Sequence, residues 1–193
     1  MILVSAGHHA AAQGALFNGH TEWEEATLWR ELIVQEIGQH RAHAVPSGTL
    51  RSKVSYINAR NPWMAVEIHF NSAINDEGKH VGEGYETLFY PGSIKGKIIA
   101  EYVQRGLGWA LHTKDRGVKE GWHRQDAPGR VDYHGDVDGD ETILYFLNAT
   151  RCPAIIVEPE FIHHQHSIKR MRGPACEAIA DALLDAADKL DLI

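Results

Sequence analysis

Two histidines and one glutamate stand where apolar segments of the chain end, and these residue types could together form a catalytic metal site. His8 follows the apolar start of the chain, and His69 and Glu158 close two later apolar segments. A short apolar run bounded by turn residues predicts a buried strand. Polar side chains at the carboxyl ends of strands in an α/β sheet usually line a ligand site. Imidazole and carboxylate ligands are typical of catalytic zinc, so the pattern predicts a zinc site.

Three acids, Glu22, Glu24 and Glu25, begin the predicted first helix. All three are favourable there, because a helix N-terminus carries a partial positive charge. Thr21 and Glu24 match a capping box, in which the Glu24 carboxylate reaches back to the helix start. Glu22 is therefore the acid most able to face a metal. It would complete a set of two histidines and one glutamate with an open position for water.

Two acids lie within the apolar segments themselves: Glu158, and Glu67 in the segment that carries His69. Pro159 follows Glu158 and stops further strand pairing. A carboxylate in that position is costly unless it has a partner or a function, so the alternatives are an ion pair with Arg or Lys and a catalytic role. Glu67 lies on the same strand face as His69 and is predicted to orient that ligand through a hydrogen bond.

The alternation of strands and helices predicts one α/β domain with a mostly parallel or mixed twisted sheet of about six strands and helices on both faces. Strands are expected near residues 2–5, 43–45, 64–70, 85–90, 143–147 and 154–157. Helices are expected near residues 22–38, 50–60 and 94–111, with a final helix that opens at Pro174.

Residues 113–141 are rich in Gly, Asp and His and lack periodicity, which predicts a long inserted loop; loops of this length are usually functional or mobile. Tyr133 and His134 in this loop, together with Asn71 after the strand that carries His69, are predicted to contact substrate. The stretch Asp136–Asp140 has the alternating aspartates of a calcium loop. It lacks the glycine that such a loop needs at its sixth position, so calcium is disfavoured.

The composition excludes several classes of protein. The chain has 193 residues and a formal net charge of −7, without a Lys/Arg cluster, which argues against nucleic-acid binding. No apolar stretch reaches the roughly 18 residues that predict membrane insertion. No signal peptide is apparent at the N-terminus, so synthesis in the cytosol is expected. Cys152 and Cys176 are interpreted as small hydrophobic residues and not as a disulfide framework or nucleophiles.

These residues fall into motifs of one family. The chain resembles the zinc-dependent N-acetylmuramoyl-L-alanine amidases of the amidase-3 type, including catalytic domains of phage endolysins. The matching stretches are Gly7-His8, Thr21-Glu22-Trp23, Ile68-His69-Phe70-Asn71, Asp115-Arg116-Gly117-Val118, Leu144-Tyr145-Phe146-Leu147, and Pro153 to Glu158 followed by Phe161. Two departures flank the first motif: Ser5-Ala6 replaces an Asp-Pro pair, and His9-Ala10 replaces Gly-Gly.

The resemblance implies that His8, Glu22 and His69 bind zinc and that Glu158 is the catalytic general base. The implied reaction hydrolyses the amide between N-acetylmuramic acid and L-alanine in peptidoglycan. We expect one catalytic domain over residues 1–193, no separate cell-wall-binding domain, and action on the cell wall after release or delivery. Two alternatives remain: another zinc amidohydrolase or peptidase with the same site, and an inactive peptidoglycan-binding module, against which the intact Glu158 argues.

Overall fold

The computed structural model describes residues 1–121 and 144–192. The strands are β1 (Ile2–Ala6), β2 (Leu16–Phe17), β3 (His20–Thr21), β4 (Ala42–Ala44), β5 (Met64–Ile68), β6 (Tyr85–Phe89), β7 (Asp115–Glu120) and β8 (Ala154–Glu158). The helices are α1 (Glu22–Ile37), α2 (Leu50–Asn58), α3 (Ile94–Ala110), α4 (Tyr145–Ala149) and α5 (Gln165–Lys189).

Six of the strands form one mixed sheet in the order β4-β1-β5-β8-β6-β7. The pairs from β4 to β8 are parallel, β6 runs antiparallel to β8, and β7 is parallel to β6. The carboxyl ends of β1, β5 and β8 therefore meet at one edge of the sheet, where β6 and β7 begin. This edge carries all the strand-end residues that the sequence marks as candidates.

Alternate strand residues face two separate cores, because successive side chains of a strand point to opposite faces. Ile2 and Val4 belong to a large core that also contains residues of α1, α3 and α5. Leu3 belongs to a second core, which α2 and α4 complete. The predicted α/β domain, with a mixed sheet of six strands and helices on both faces, is confirmed. Among the described residues, no helix is long and apolar enough to cross a membrane.

The predicted strand at 143–147 is wrong, because Tyr145–Ala149 is a helix. Phe146 and Leu147 are adjacent and both are buried in the second core. Neighbouring residues of a strand would point to opposite faces, whereas a helical turn can bury both against the sheet. The hydrogen bond from the Asn148 amide to the Leu144 carbonyl, at 3.0 Å, closes that turn.

The predicted loop over 113–141 is also wrong in part, because Asp115–Glu120 forms the edge strand β7. Polar, partly exposed residues are tolerated on an edge strand, so β7 lacks the apolar alternation that would have predicted it. Residues 122–143 lie outside the described part of the chain, and Tyr133 and His134 lie there with them.

The last helix begins earlier than predicted, at Gln165, and Pro174 lies inside it. Ile168 in the first turns is buried in the large core. Tertiary packing of this kind supplies most helix stability in proteins, so it extends α5 on the N-terminal side of the proline.

Candidate metal centre

His8, Glu22 and His69 converge at the carboxyl edge of the sheet. Each offers one ligand atom, and these three atoms lie within 4.8 Å of one another. The Glu22 carboxylate stands between the two rings: Oε2 is 3.0 Å from His8 Nε2, and Oε1 is 2.8 Å from His69 Nδ1. Within residues 1–121 and 144–192, this is the only group of three or more His, Cys, Asp or Glu residues with that geometry.

Strand pairing places the two histidines. β1 and β5 are neighbours in parallel register, so His8 and His69 leave the sheet side by side. The His69 amide donates to the Val157 carbonyl at 2.9 Å, which continues the β5–β8 pairing by one residue. His8 adopts a φ of 60°, a left-handed conformation that is uncommon for residues other than glycine.

The β2–β3 hairpin and the start of α1 place Glu22. Its carboxylate accepts hydrogen bonds from two backbone amides, from Ala15 to Oε2 and from Phe70 to Oε1, each at 3.1 Å. The side chain is almost fully buried, with 1% of its surface exposed. Two fixed amides and two imidazoles therefore hold this carboxylate in one orientation.

Two glycines leave the space that this arrangement occupies. A Cβ atom on Gly7 would lie 2.4 Å from the His69 ring. A Cβ atom on Gly14 would lie 2.5 Å from His8 Cδ2 and 2.6 Å from Glu22 Oε2. Real Cβ atoms do not approach other atoms so closely, so a side chain at either position would displace the candidate ligands.

The electrostatics of the group keep the Glu22 carboxylate ionised. Burial alone would raise the pKa of Glu22, but hydrogen bonds to His69 and His8 outweigh it and hold the pKa well below its usual range. Burial would lower the pKa of His69, but Glu22 and Glu67 outweigh it and raise the pKa to about 10. An ionised carboxylate between two imidazoles is a donor set that fits zinc and leaves a coordination position open.

The other two acids of the helix start have different partners. The capping box is confirmed: Glu24 accepts from the Thr21 backbone amide and Thr21 accepts from the Glu24 amide, both at 3.3 Å. Glu25 is buried and pairs with Arg172 of α5 at 2.7 Å. Glu25 also accepts from the Trp29 indole at 3.0 Å. The structure thus brings only Glu22 of the three acids to the histidines.

Glu67 contacts the His69 ring, and its predicted role of orienting this ring as a ligand stays a prediction. Its neighbour Lys53 was missed. Glu67 Oε2 is 3.2 Å from His69 Nε2, and Glu67 Oε1 accepts from Lys53 Nζ at 2.6 Å and from Ser5 Oγ at 3.0 Å. Burial would raise the pKa of Glu67, but Lys53 and His69 hold it well below its usual range. Lys53 carried no sequence signal, because one lysine in a polar helix resembles a solvated residue.

Glu158 ends β8 as a half-buried residue, next to the carboxyl end of β5. Burial and the charge of Glu86 raise the pKa of Glu158 to about 8. Arg116 and Lys119 make their ion pairs with Glu86, with Arg116 Nε 2.9 Å from Glu86 Oε2. Within the described part of the chain, the expected alternative of an ion pair with Glu158 itself is not found.

All three predicted substrate contacts stay predictions, and only Asn71 lies in the described part of the chain. The Asn71 side-chain amide donates to Glu86 Oε1 at 2.9 Å, so Asn71 lies at the same edge as Glu158 and is held by the acid opposite it. Tyr133 and His134 lie outside the described residues, and their contact with substrate stays a prediction. Glu86 was missed, and only the placement of Arg116 in a family-like stretch could have pointed to this network.

The cysteines take no part in the site. Both are free thiols, Cys176 buried and Cys152 partly buried. Burial raises the pKa of both, that of Cys152 to about 11, which opposes the thiolate form that a nucleophile needs.

Comparisons with known proteins define the family. The profile of the Amidase_3 family, described as N-acetylmuramoyl-L-alanine amidase, matches residues 2–189. The chain therefore belongs to the N-acetylmuramoyl-L-alanine amidase family. It is also 24% identical over 197 residues to the protein YqiI of Bacillus subtilis strain 168, a match that covers 97% of this chain and 82% of that protein.

Solved structures share the fold. The N-acetylmuramoyl-L-alanine amidase AmiC2 of Nostoc punctiforme superposes with a TM-score of 0.75 at 21% identity, over 97% of each chain. The catalytic domain of the CD27L endolysin, which targets Clostridia difficile, superposes with a TM-score of 0.69 at 19% identity, over 95% of this chain and 96% of that domain.

Proposed function

We propose that the protein is a zinc-dependent N-acetylmuramoyl-L-alanine amidase that acts on the peptidoglycan of the cell wall. It would hydrolyse the amide between the lactyl group of N-acetylmuramic acid and the L-alanine of the stem peptide. The observation that carries the proposal is the convergence of His8, Glu22 and His69 beside Glu158, in a chain of the amidase family.

His8, Glu22 and His69 would hold the zinc ion. A zinc ion held there would supply Lewis acidity, which polarises the scissile carbonyl and lowers the pKa of water. The buried Glu22 carboxylate offsets part of the positive charge, and its two backbone hydrogen bonds keep it from rotating away. The protein's part would be to keep these three ligand atoms fixed.

Glu158 would carry the proton. As general base it removes a proton from the attacking water, whose oxygen forms a bond to the carbonyl carbon. The C–N bond then breaks, and Glu158 returns the proton to the leaving amine. The products are the lactyl carboxylate and a peptide with a new amino terminus on L-alanine. A pKa raised by burial and by Glu86 suits a group that both takes and returns a proton near neutral pH.

Digestion of purified peptidoglycan tests the proposal, with metal content measured on the same sample. We expect about one zinc per chain and release of new amino termini on alanine, both abolished by a chelator and restored by added zinc. New amino termini on other residues would indicate a peptidase with the same site. Zinc binding without any released product would indicate a binding module.

A further inference from the structure

Lys53 is a buried lysine of α2 whose ammonium group lies beneath the candidate metal centre. Its side chain is 3% exposed, and a charge so far from water is costly unless it is paired and hydrogen-bonded. Nζ has three acceptors: Glu67 Oε1 at 2.6 Å, the Ala6 carbonyl at 2.7 Å and the His8 carbonyl at 3.4 Å. An ammonium group has three protons to donate, so these contacts match its capacity.

One of these contacts reaches His69 through Glu67. Lys53 and Ser5 both donate to Glu67 Oε1, which leaves Oε2 directed at His69 Nε2 at 3.2 Å. When Nε2 donates its proton to Glu67, Nδ1, which faces Glu22, is the ring nitrogen that can bind a metal. Carboxylates behind ligating histidines fix the tautomer and the ring orientation in this way.

The other two contacts reach His8 through the backbone. The Ala6 and His8 carbonyls flank Gly7, and the turn they form places His8 at a φ of 60°. A left-handed conformation at a residue other than glycine persists only where the surroundings hold it. Lys53 binds a carbonyl on each side of Gly7 and so restrains the backbone of this turn.

We infer that Lys53 is the positioning residue of this centre, since one ammonium group fixes His69 through Glu67 and His8 through its backbone. The inference rests on the proposed metal site. A neutral side chain at this position would leave Glu67 buried without its cation. The carboxylate could then turn toward other donors, and the orientations of both histidines would be less defined.

Zinc affinity of the folded protein, measured by competition with a chromophoric chelator, tests the inference. We expect Lys53→Met to weaken zinc binding about 10–100-fold, the usual cost of losing a partner behind a metal ligand. Lys53→Gln, measured in parallel, keeps donors without the charge and should also lose about tenfold or more. Lys53→Arg keeps the charge and should restore part of the loss. Lys95→Met, an exposed position on α3, is the control and should bind zinc as the wild type does.

A second readout separates positioning from general stability. The ¹⁵N shifts of the His69 ring in the zinc-loaded protein report which ring nitrogen carries the proton, and we expect one protonation pattern in the wild type and a mixture in Lys53→Met. Unchanged zinc affinity and an unchanged protonation pattern in the Lys53 variants would overturn this inference alone. A wild type that binds no zinc would overturn the proposed function together with it.

Discussion

Glu86 and Glu158 are direct partners across the antiparallel pair of β6 and β8. Like charges at directly opposed positions are destabilising, so the two carboxylates are not expected to ionise equally. Arg116, Lys119 and the Asn71 amide all bind Glu86. Burial would raise the pKa of Glu86, but these partners outweigh it and lower the pKa. Burial and the negative charge of Glu86 raise the pKa of Glu158, so Glu158 is the carboxyl group of this pair that can hold a proton.

The first prediction separates chemistry from metal binding at Glu158. Glu158→Gln should keep its fold and its zinc, because the residue is proposed as a proton carrier and not as a ligand. The turnover number should fall by about 10²–10⁴, the usual contribution of a general base. Turnover of peptidoglycan fragments and zinc content, measured on the same samples, check both halves.

Glu160→Gln is the matched control for that substitution. Glu160 is buried two residues further on, and its Oε1 accepts from the Gly84 and Phe161 amides, each at 2.8 Å. Glutamine keeps an acceptor oxygen, so both turnover and zinc content should remain near those of the wild type. Loss of zinc from Glu158→Gln, or full activity in it, would mean that the role assigned to Glu158 is wrong.

The second prediction concerns the pH dependence of stability at Glu158. Its pKa is raised from 4.5 to about 8 in the folded chain. The unfolded chain therefore releases this proton at lower pH than the folded chain. The wild type should lose stability relative to Glu158→Gln as the pH rises from about 4.5 to about 8.

Urea unfolding with EDTA present, at pH 4.5, 6 and 8, measures this difference in the free energy of unfolding. It should grow by at least about 1 kcal/mol across the range, since one pKa unit corresponds to about 1.4 kcal/mol. A difference that stays constant with pH would show that the pKa of Glu158 is not raised by folding.

The third prediction uses the three neighbouring acids of α1. Loss of a residue that hydrogen-bonds a metal ligand usually weakens binding about 10–100-fold. Glu22→Gln removes a proposed ligand itself and should weaken zinc binding by more than that. Glu24→Gln should have little effect, because glutamine also serves a capping box. Glu25→Gln should keep zinc affinity but lose about 1–3 kcal/mol of stability. The partly buried Arg172 guanidinium would lose the carboxylate that it now binds.

Zinc titration and thermal unfolding of all three variants check this division of roles. The ion pair of Glu25 with Arg172 is the reason to expect a loss of stability in Glu25→Gln without a loss of zinc. If Glu25→Gln or Glu24→Gln released the metal while Glu22→Gln kept it, Glu22 would not be the ligand.

The local patterns in the sequence were sufficient for part of this site. The start of α1 was predictable because Thr21 and Glu24 carry a capping signal within four residues. The proximity of His8 and His69 was predictable because parallel strands bring their carboxyl ends together. Both inferences use only short-range pattern and the general geometry of α/β sheets.

The contacts that depend on register could not be predicted. Ser5 and Glu67 are register partners across β1 and β5. The sequence shows only that Ser5 stands where the family has an aspartate, whereas the structure places the carboxylate of Glu67 directly opposite. The burial of Lys53 follows from that pairing, since only the paired strands create an acidic, closed pocket for its ammonium group. Strand β7 was not predicted for another reason, because a partly exposed edge strand needs no apolar alternation.

The last prediction compares two glycines that differ only in the space around them. Gly14 and Gly19 both have positive φ values, of 73° and 79°. Alanine at either position should cost about 1 kcal/mol or more of stability, because left-handed backbone is unfavourable for residues with a Cβ atom. At Gly14 that atom would also lie 2.5 Å from the His8 ring and 2.6 Å from Glu22 Oε2, whereas at Gly19 it meets nothing within 4 Å.

Gly14→Ala should therefore push His8 and Glu22 apart and weaken zinc binding about tenfold or more, equivalent to about 1.4 kcal/mol. Gly19→Ala should bind zinc as the wild type does, and with EDTA present it should lose only the roughly 1 kcal/mol that left-handed backbone costs a residue with a Cβ atom. Chelator competition and thermal unfolding on both variants give the two quantities separately. Equal zinc affinity in the two variants would mean that the close approach of His8 to Glu22 is not what holds the metal.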